Sequence, residues 1–315
     1  MTQAATRPIL IAGPTASGKS ALALRIAEVV GGVVINADAM QVYRELPILS
    51  ARPSREDEAR APHWLYGHVA ASDAYSTGRY IIDVTAALAE ARAKNLRPII
   101  VGGTGLYFKA LLEGLSPVPA IPDAVRAHWR GEAQRLGAQA LHTTLHTRDP
   151  EMAERLSPSD KQRLTRALEV LDATGLSLAH WQRQPGTPVL AETETVRLVM
   201  RPDRTELLAR CDARFDMMMA DGALDEVRAL LEANLDPKLP AMGALGVAPL
   251  AAHIRGEVEL AEAITRAKLD TRQYVKRQLT WLKRNMISWN IVQKIDLERN
   301  DRLLQHLIEY CAAAD

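Results

Sequence analysis

The sequence has few cysteines and almost no net charge. Cys211 and Cys311 are its two cysteines, and they lie too far apart to match a metal-ligand or redox spacing. Two free thiols in a reducing compartment are the expected state, with a disulfide as the alternative. The 315 residues carry a formal charge of +1, so a nucleic-acid surface must come from local clustering of basic residues.

Signals for export or membrane insertion are also missing. Residues 1–7 are polar and lack an apolar signal-peptide core. No apolar run approaches the ~20 residues that are needed to cross a bilayer. Hydrophobic residues make up 47% of the chain and charged residues 24%, which is typical of a globular enzyme. We therefore expect a cytoplasmic enzyme that has no membrane partner and is a monomer by default.

Strand and helix patterns alternate over the first hundred residues. Short apolar runs at 8–12, 33–35 and 98–101 are typical of strands that are buried on both faces of a parallel sheet. Apolar residues recur at helical spacing over 20–30 and 76–94. This order predicts an α/β fold in which helices cover both sides of a parallel sheet.

A proline-dense stretch at 116–122 interrupts this pattern and cannot continue a helix. From 123 to about 184 the pattern is helical without strand signals, and the run VRLVM at 196–200 indicates a return to the sheet. Two long helical patterns follow, at 206–233 and about 260–283. The expected units are an α/β core at 1–116, a mainly helical insertion at 117–195, and completion of the core by 196–315.

A glycine-rich segment follows the first strand and opens the first helix. It reads Gly13-Pro14-Thr15-Ala16-Ser17-Gly18-Lys19-Ser20 and fits the P-loop pattern G-x-x-x-x-G-K-[ST] at every fixed position. Its glycines let backbone N–H groups surround phosphate oxygens, and the helix N-terminus adds positive potential. Lys19 supplies a cation, and the Ser20 hydroxyl is placed for Mg²⁺. A P-loop recognises adjacent phosphates, so a diphosphate with an organic tail satisfies it as well as a nucleotide does.

Two further segments end at the same edge of the predicted sheet. NADAMQVY at 36–43 brings Asp38 there, and VGGTGLY at 101–107 brings Thr104. Asp38 can hold Mg²⁺ or accept a substrate proton, and a helix cap or loop carboxylate is the plainer alternative. The glycines around Thr104 allow a ligand to approach closely, and its hydroxyl can form a hydrogen bond. Together with the P-loop, these segments predict three walls of one pocket.

In combination, the three segments closely resemble the signatures of the tRNA dimethylallyltransferase family of bacterial type. Further matches are PSDKQRLTRALEV at 158–170 and TRQYVKRQLTW at 271–281, so the resemblance spans about 8–289. It implies a P-loop nucleoside-triphosphate-hydrolase-like core with a helical insertion. It also implies Mg²⁺ as cofactor, dimethylallyl diphosphate as co-substrate, and N6 of adenosine 37 beside the tRNA anticodon as acceptor.

The resemblance also implies roles for matching residues. Asp38 resembles the general base of the family, Thr104 its active-site threonine, and Arg214 an arginine near the diphosphate, which the P-loop with Lys19 holds. The expected tRNA-contacting residues are Asp38, Ala39, Met40, Gln41, Thr104, Arg126, Gln162, Arg163, Leu164, Thr165 and Arg166. Ala39 departs from the family, which commonly has serine there. Gly243 and Val247 stand where many members carry a basic residue and a tyrosine, so no side-chain contact is carried over at those two positions.

Adenine N6 is a weak nucleophile, because its lone pair is delocalised, and an allylic carbon can develop positive charge. Catalysis then consists mainly of stabilising the departing diphosphate and aligning N6, while Asp38 accepts the N6 proton. On the last long helix, Arg266, Gln273, Arg277 and Arg284 fall near one side, either as a tRNA surface or as a solvated face.

Three other functions stay open. A P-loop small-molecule kinase would use Lys19 and Ser20, with Asp38 activating a hydroxyl group. An adenylate isopentenyltransferase acting on free nucleotides would share the chemistry but would not need a basic helical surface. A phosphate- or RNA-binding protein without catalysis would not need Lys19, Asp38 and Thr104 together.

Overall fold

A parallel β-sheet forms the centre of the larger of two compact units. The computed structural model describes residues 7–293 together with Gln305 and Glu309, so Cys311 lies outside the described residues. The strands, in chain order, are β1 (Ile9–Ala12), β2 (Gly32–Asn36), β3 (His63–Trp64), β4 (Arg97–Gly102), β5 (Val196–Met200) and β6 (Asn290–Val292). They lie in the order β3-β2-β4-β1-β5-β6, and neighbouring strands are parallel throughout. The predicted α/β fold with a parallel sheet flanked by helices is confirmed.

Apolar side chains on both faces hold the sheet in place. Ile9 of β1 pairs with Ile99 of β4 on one side and with Val196 of β5 on the other. Because side chains alternate along a strand, Ile9 and Ile99 enter one apolar core, whereas Leu10 enters the core on the opposite face. β1, β2 and β4 are buried along their whole length, as expected for strands that helices cover on both sides.

The helices range in length from 6 to 26 residues. In chain order they are α1 (Lys19–Val30), α2 (Arg55–Arg60), α3 (Thr77–Ala93), α4 (Gly105–Glu113), α5 (Asp123–Arg148), α6 (Pro150–Arg155), α7 (Lys161–Thr174), α8 (Leu178–Arg183), α9 (Arg204–Ala220), α10 (Ala223–Glu232), α11 (Val247–Ile254) and α12 (Leu260–Asn285). The expectation of one helix over 206–233 is wrong, because Gly222 has a φ of 102° and separates α9 from α10. No helix among the described residues is long and apolar enough to cross a membrane.

The smaller unit, residues 113–188, is helical and has a core of its own. α5, α6, α7 and α8 pack around Trp129, Leu141, Leu164 and Leu168. α7 begins at a capped end, where the Asp160 side chain accepts the N–H of residue 163 at 3.1 Å. The remaining described residues, 7–112, 189–293, Gln305 and Glu309, belong to the unit that contains the sheet.

Candidate active site

The P-loop joins β1 to α1 in a tight, closed turn. The N–H of Gly13 donates to the carbonyl oxygen of Gly102 at 3.3 Å, which ties the loop to the end of β4. The N–H of Ser17 donates to Pro14 O at 3.3 Å. Gly18 adopts a left-handed φ of 86° and leaves α1 without a side-chain cap. The first-turn N–H groups of α1 therefore remain available to an anion.

Lys19 is buried at the start of α1. Its Nζ donates to Pro14 O at 3.4 Å, and the residue is 9% exposed. Burial is the largest cause that lowers the pKa of Lys19, to about 8 from its usual 10.5, and Arg214 lowers it further. The Asp38 carboxylate opposes this shift. A bound diphosphate would act in the same direction as Asp38 and favour the charged lysine.

Helices α9 and α12 hold the tip of the P-loop from the other side. The N–H of Thr15 donates to Gln278 Oε1 on α12 at 3.0 Å. The Thr15 hydroxyl oxygen accepts a hydrogen bond from Arg214 on α9. Ala16 packs against a small apolar cluster that includes Cys211. Burial lowers the pKa of the Arg214 guanidinium, as expected for a cation held away from water. The structure thus places Arg214, predicted from the resemblance, against the P-loop.

Asp38 follows β2 and has one fixed and one open carboxylate oxygen. Its Oδ1 accepts the N–H of Met40 at 2.9 Å, and its own N–H donates to Asn36 Oδ1 at 2.8 Å. The Asn36 amide nitrogen also donates to Asp38 O at 3.0 Å, which fixes the backbone. Oδ2 accepts no hydrogen bond from the described residues and lies beside Gly103, where an added Cβ would be 3.3 Å from it. This oxygen is therefore placed to accept a proton.

The Thr104 loop is locked to the Asp38 loop. The hydroxyl oxygen of Thr104 accepts the N–H of Ala39 at 2.9 Å, and the N–H of Thr104 donates to Ala37 O at 3.2 Å. A side chain at Gly102 would overlap the carbonyl of Ala37, so this close approach requires glycine. Because the Thr104 hydroxyl proton is not used in these contacts, it can still be donated to a ligand.

Two cations and three phenol groups lie within electrostatic range of the Asp38 carboxylate. Lys19 and Arg214 interact with it electrostatically, as do three tyrosines on different elements. Burial raises the pKa of each of these phenols and Asp38 raises it further, so they stay protonated at neutral pH and can donate hydrogen bonds. The tyrosines are Tyr66, Tyr107 and Tyr274.

Of the other residues predicted beside Asp38, Ala39 and Met40 are half-buried, whereas Gln41 is buried. The Gln41 amide nitrogen donates to Ser50 O at 3.0 Å and to Ala51 O at 2.7 Å, so it holds the following loop. Its donor group is thus already used within the protein.

The predicted tRNA contacts of the smaller unit divide into exposed and buried side chains. Gln162 and Arg163 are exposed on α7, and Arg126 on α5 is half-buried, with an Nε that has no hydrogen-bond partner among the described residues. In contrast, Leu164 is fully buried, and the Thr165 hydroxyl donates to Lys161 O at 2.7 Å. These two side chains support the helix from inside and do not form its surface. Arg166 is partly exposed and lies 3.4 Å from the buried carboxylate of Glu169.

The outer face of α12 carries an open groove of about 680 Å³. Its lining residues are Gln273, Lys276, Arg277, Thr280, Trp281, Arg284 and Asn285. Arg266, which was expected on the same side, does not line the groove and forms an ion pair with Glu262. The opposite face is buried through Thr271, Val275 and Leu282.

Asn36 and Gln278 organise this edge through their side-chain amides, and neither was predicted as a functional residue. Gln278 stood inside a family match, and its spacing from Thr271, Val275 and Leu282 places a polar residue in a buried stripe. This pattern could have indicated a role for Gln278, because a buried carboxamide requires hydrogen-bond partners. Asn36 carried a weaker signal, as a polar residue at the end of an apolar strand.

The fold and this edge define a P-loop α/β protein in which the Asp38 carboxylate and the Thr104 loop lie beside the P-loop. The family model described as IPP transferase matches residues 41–285, and the model described as isopentenyl transferase matches residues 7–66. The chain belongs to the IPP transferase family. Its predicted family membership and its predicted class of enzyme, a transferase, are confirmed.

Close relatives and solved structures agree with this assignment. The chain is 55% identical over 278 residues to the tRNA dimethylallyltransferase of Nitrobacter hamburgensis, with 88% of each chain covered. It is 50% identical over 289 residues to that of Parvibaculum lavamentivorans, with 92% of this chain and 91% of the relative covered. The full-length tRNA isopentenylpyrophosphate transferase from Bacillus halodurans superposes with a TM-score of 0.70 at 28% identity, covering 98% of this chain and 96% of that one. A eukaryotic dimethylallyltransferase that acts on tRNA gives a TM-score of 0.80 at 26% identity, covering 95% and 77%.

Proposed function

We propose that the chain transfers the dimethylallyl group of dimethylallyl diphosphate to N6 of adenosine 37 in the tRNA anticodon loop. The observation that carries this proposal is the open Oδ2 of Asp38 beside Gly103, at the same sheet edge as the Lys19 P-loop. A phosphate site alone would also suit a kinase. Relatives that are 55% and 50% identical over 88% and 92% of this chain are named tRNA dimethylallyltransferases, which favours prenyl transfer to tRNA.

In the proposed reaction, the bond from the allylic carbon to the diphosphate oxygen breaks as the bond from that carbon to N6 forms. The diphosphate leaves with the electron pair, and Lys19 with the P-loop N–H groups stabilises the negative charge that develops on it. Arg214 adds positive potential from behind Thr15. The N6 proton passes to Asp38 Oδ2, which leaves a neutral secondary amine on the base. Thr104 holds the Asp38 loop in place through Ala39.

Mg²⁺ fits this site through the Ser20 hydroxyl. Ser20 is exposed in the first turn of α1, and its hydroxyl has no hydrogen-bond partner among the described residues. Within that part of the chain, no group of three or more His, Cys, Asp or Glu side chains is arranged to hold a metal ion. A magnesium ion held by Ser20 would therefore take further ligands from the diphosphate and water. When bound, it neutralises charge on the leaving group.

Basic residues of the unit that contains the sheet would contact the tRNA. Lys276, Arg277 and Arg284 line the groove of α12, and guanidinium groups there can contact phosphates and stack on bases. On the smaller unit, Gln162 and Arg163 provide exposed polar groups. Adenine must leave its stack to reach a carboxylate at a sheet edge, which suits a flipped base in a single-stranded loop.

Gly243 and Val247, which depart from the family pattern, offer no side chain that could contact tRNA. Val247 is 2% exposed at the start of α11, so it offers no side chain to a substrate. Gly243 has open space where a Cβ would be. We propose that this segment contributes at most backbone contacts to tRNA in this chain.

A transfer assay tests the proposed function. Radiolabelled dimethylallyl diphosphate and Mg²⁺ are incubated with an unmodified anticodon stem-loop that contains A37, with AMP and ATP as parallel acceptors. We expect label on the stem-loop alone, and loss of that label when A37 is replaced by guanosine. Label on AMP or ATP would identify a free-nucleotide enzyme. No label on any acceptor, with phosphate transferred from ATP to a small molecule, would identify a kinase.

A further inference from the structure

Gln278 is a buried polar residue in an otherwise apolar stripe of α12. The residue is 7% exposed, between Val275 and Leu282 on the inner face of the helix. A carboxamide in such a place is costly unless both of its ends are hydrogen-bonded. Both are bonded here: Oε1 accepts the N–H of Thr15 at 3.0 Å, and Nε2 donates to Gly103 O at 3.0 Å. These partners fix the orientation of the amide, because an N–H must meet an acceptor and a carbonyl must accept.

The two loops that Gln278 joins serve the two halves of the proposed reaction. Thr15 belongs to the P-loop, which would hold the diphosphate. Gly103 lies beside Asp38 Oδ2 and precedes Thr104, so its loop would hold the acceptor side. On the sheet side, the same two loops are joined by the hydrogen bond from Gly13 N–H to Gly102 O. Gln278 joins the two loops at a second place, from α12.

α12 also contacts the Thr104 loop through a second residue, Trp281. The indole ring of Trp281 lies against Gly105 so closely that any side chain at position 105 would overlap the ring. Trp281 also lines the outer groove of α12. α12 therefore contacts both the P-loop and the Thr104 loop and also lines the groove.

We infer that Gln278 is a positioning residue that sets the separation between the diphosphate loop and the Asp38–Thr104 loop. It acts through the N–H of Thr15 and the carbonyl of Gly103, and its effect is to place the allylic carbon in line with N6. The inference rests on the proposed transfer reaction and adds to it a residue whose side chain need not touch either substrate.

Two variants separate the two hydrogen bonds. Gln278→Met keeps a similar side-chain volume and loses both bonds. Gln278→Glu keeps an acceptor for Thr15 N–H but turns a carboxylate oxygen toward the carbonyl of Gly103. For Gln278→Met we expect kcat/KM for dimethylallyl diphosphate to fall about 10²-fold, since reacting groups displaced by about 1 Å lose that much rate. KM for the stem-loop should change little, whereas the thermal unfolding midpoint should fall modestly, because the Thr15 N–H and the Gly103 carbonyl lose their partners.

The pH dependence of Gln278→Glu activity distinguishes a positioning role from a merely structural one. A neutral carboxyl group regains an O–H that can donate to Gly103 O, while its carbonyl still accepts from Thr15 N–H. Burial raises the pKa of such a carboxyl group, so it is neutral at the acid end of the assay range. The activity of Gln278→Glu relative to wild type should therefore rise as the pH is lowered from about 8.5 to about 5.5. The charged and titratable groups of this region are Lys19, Asp38, Cys211, Arg214 and Tyr274. Dividing by the wild-type activity at each pH removes the pH dependence that both proteins share.

The experiment measures transfer to the stem-loop for wild type, Gln278→Met, Gln278→Glu and Thr265→Ala, an exposed control on the same helix. A wild type without transfer activity would refute the proposed function. With an active wild type and an unchanged Thr265→Ala, a selective loss in kcat/KM for the diphosphate and acid rescue of the Glu variant support the inference. Wild-type kcat/KM in Gln278→Met overturns it, as does a defect confined to KM for the stem-loop or a Glu variant whose relative activity is independent of pH.

Discussion

The edge of the sheet at Asp38 and the surface of α7 both carry polar residues, but the edge buries them and α7 exposes them. At the edge, Lys19 and Gln278 are less than a tenth exposed and are fixed by hydrogen bonds. On α7, the Arg163 side chain is 74% exposed and pairs with Asp160 at 3.3 Å across water-accessible space. Buried polar networks depend on geometry, whereas exposed charges are screened and contribute little to stability. Changes at the edge should therefore alter rate, and changes on α7 should alter salt-dependent binding.

The largest effect is expected from Asp38→Asn. The amide keeps an oxygen that can accept the N–H of Met40 but cannot take the N6 proton. We expect kcat to fall by ~10²–10⁴-fold, the usual contribution of a general base. Affinity for the stem-loop should be nearly unchanged. Single-turnover transfer and filter binding measure the two quantities separately.

Asp270→Asn is the matched control for this substitution, because Asp270 is an exposed carboxylate on α12. It should leave both quantities close to those of the wild type. If Asp38→Asn weakened stem-loop binding as much as it slowed transfer, Asp38 would be a binding residue and not the general base.

The next effect concerns the charge of Lys19. Its pKa is lowered to about 8, so the ammonium is present below that pH and is lost as the pH rises through it. In the free enzyme, kcat/KM for dimethylallyl diphosphate should fall above about pH 8 by up to about tenfold per pH unit. At saturating diphosphate the fall in kcat should begin at higher pH, because the bound anion favours the charged lysine. The pH profiles of kcat/KM and kcat measure both.

Lys19→Arg sharpens that measurement, because a guanidinium stays charged across the whole range. This variant should have lower activity, since its planar fork replaces a compact ammonium, but its profile should lack the fall above about pH 8. A wild-type profile that stays flat up to about pH 10 would show that the charge of Lys19 does not limit diphosphate capture.

The central strands and the meeting of the P-loop, Asp38 and Thr104 could be predicted from the sequence. Continuous apolar runs mark strands buried on both faces, and the carboxyl ends of parallel strands share one edge. β3 and β6 have only two and three residues, too few for a periodic pattern. Gly222 was visible, but a single glycine within a helical pattern does not by itself reveal a φ of 102°.

The long-range hydrogen bonds that hold the loops of the site together could not be predicted in the same way. Gln278 bonds to Thr15 across 263 positions of sequence and to Gly103 across 175. No local pattern reports a contact at such a distance, although burial of a polar residue indicates that some partner exists. For Leu164, two patterns in the sequence disagreed. The family motif marked it as a tRNA contact, whereas its spacing along the helix indicated the buried face, and it lies in the core of the smaller unit.

The smallest effect is expected on α7. Arg163→Ala should leave kcat unchanged and weaken stem-loop binding, and the slope of log Kd against log salt should decrease by about 1 if Arg163 contacts a phosphate. Arg135→Ala is a close control, since Arg135 is 66% exposed and forms the same i,i+3 type of ion pair, with Glu132. Filter binding at several salt concentrations measures both variants. Equal slopes for the two would mean that only net charge matters, whereas a lower slope for Arg163→Ala alone would assign a specific phosphate contact to α7. With either result, kcat distinguishes the α7 surface from the sheet edge at Asp38. A charge that acts only in binding cannot change the rate of the bound complex.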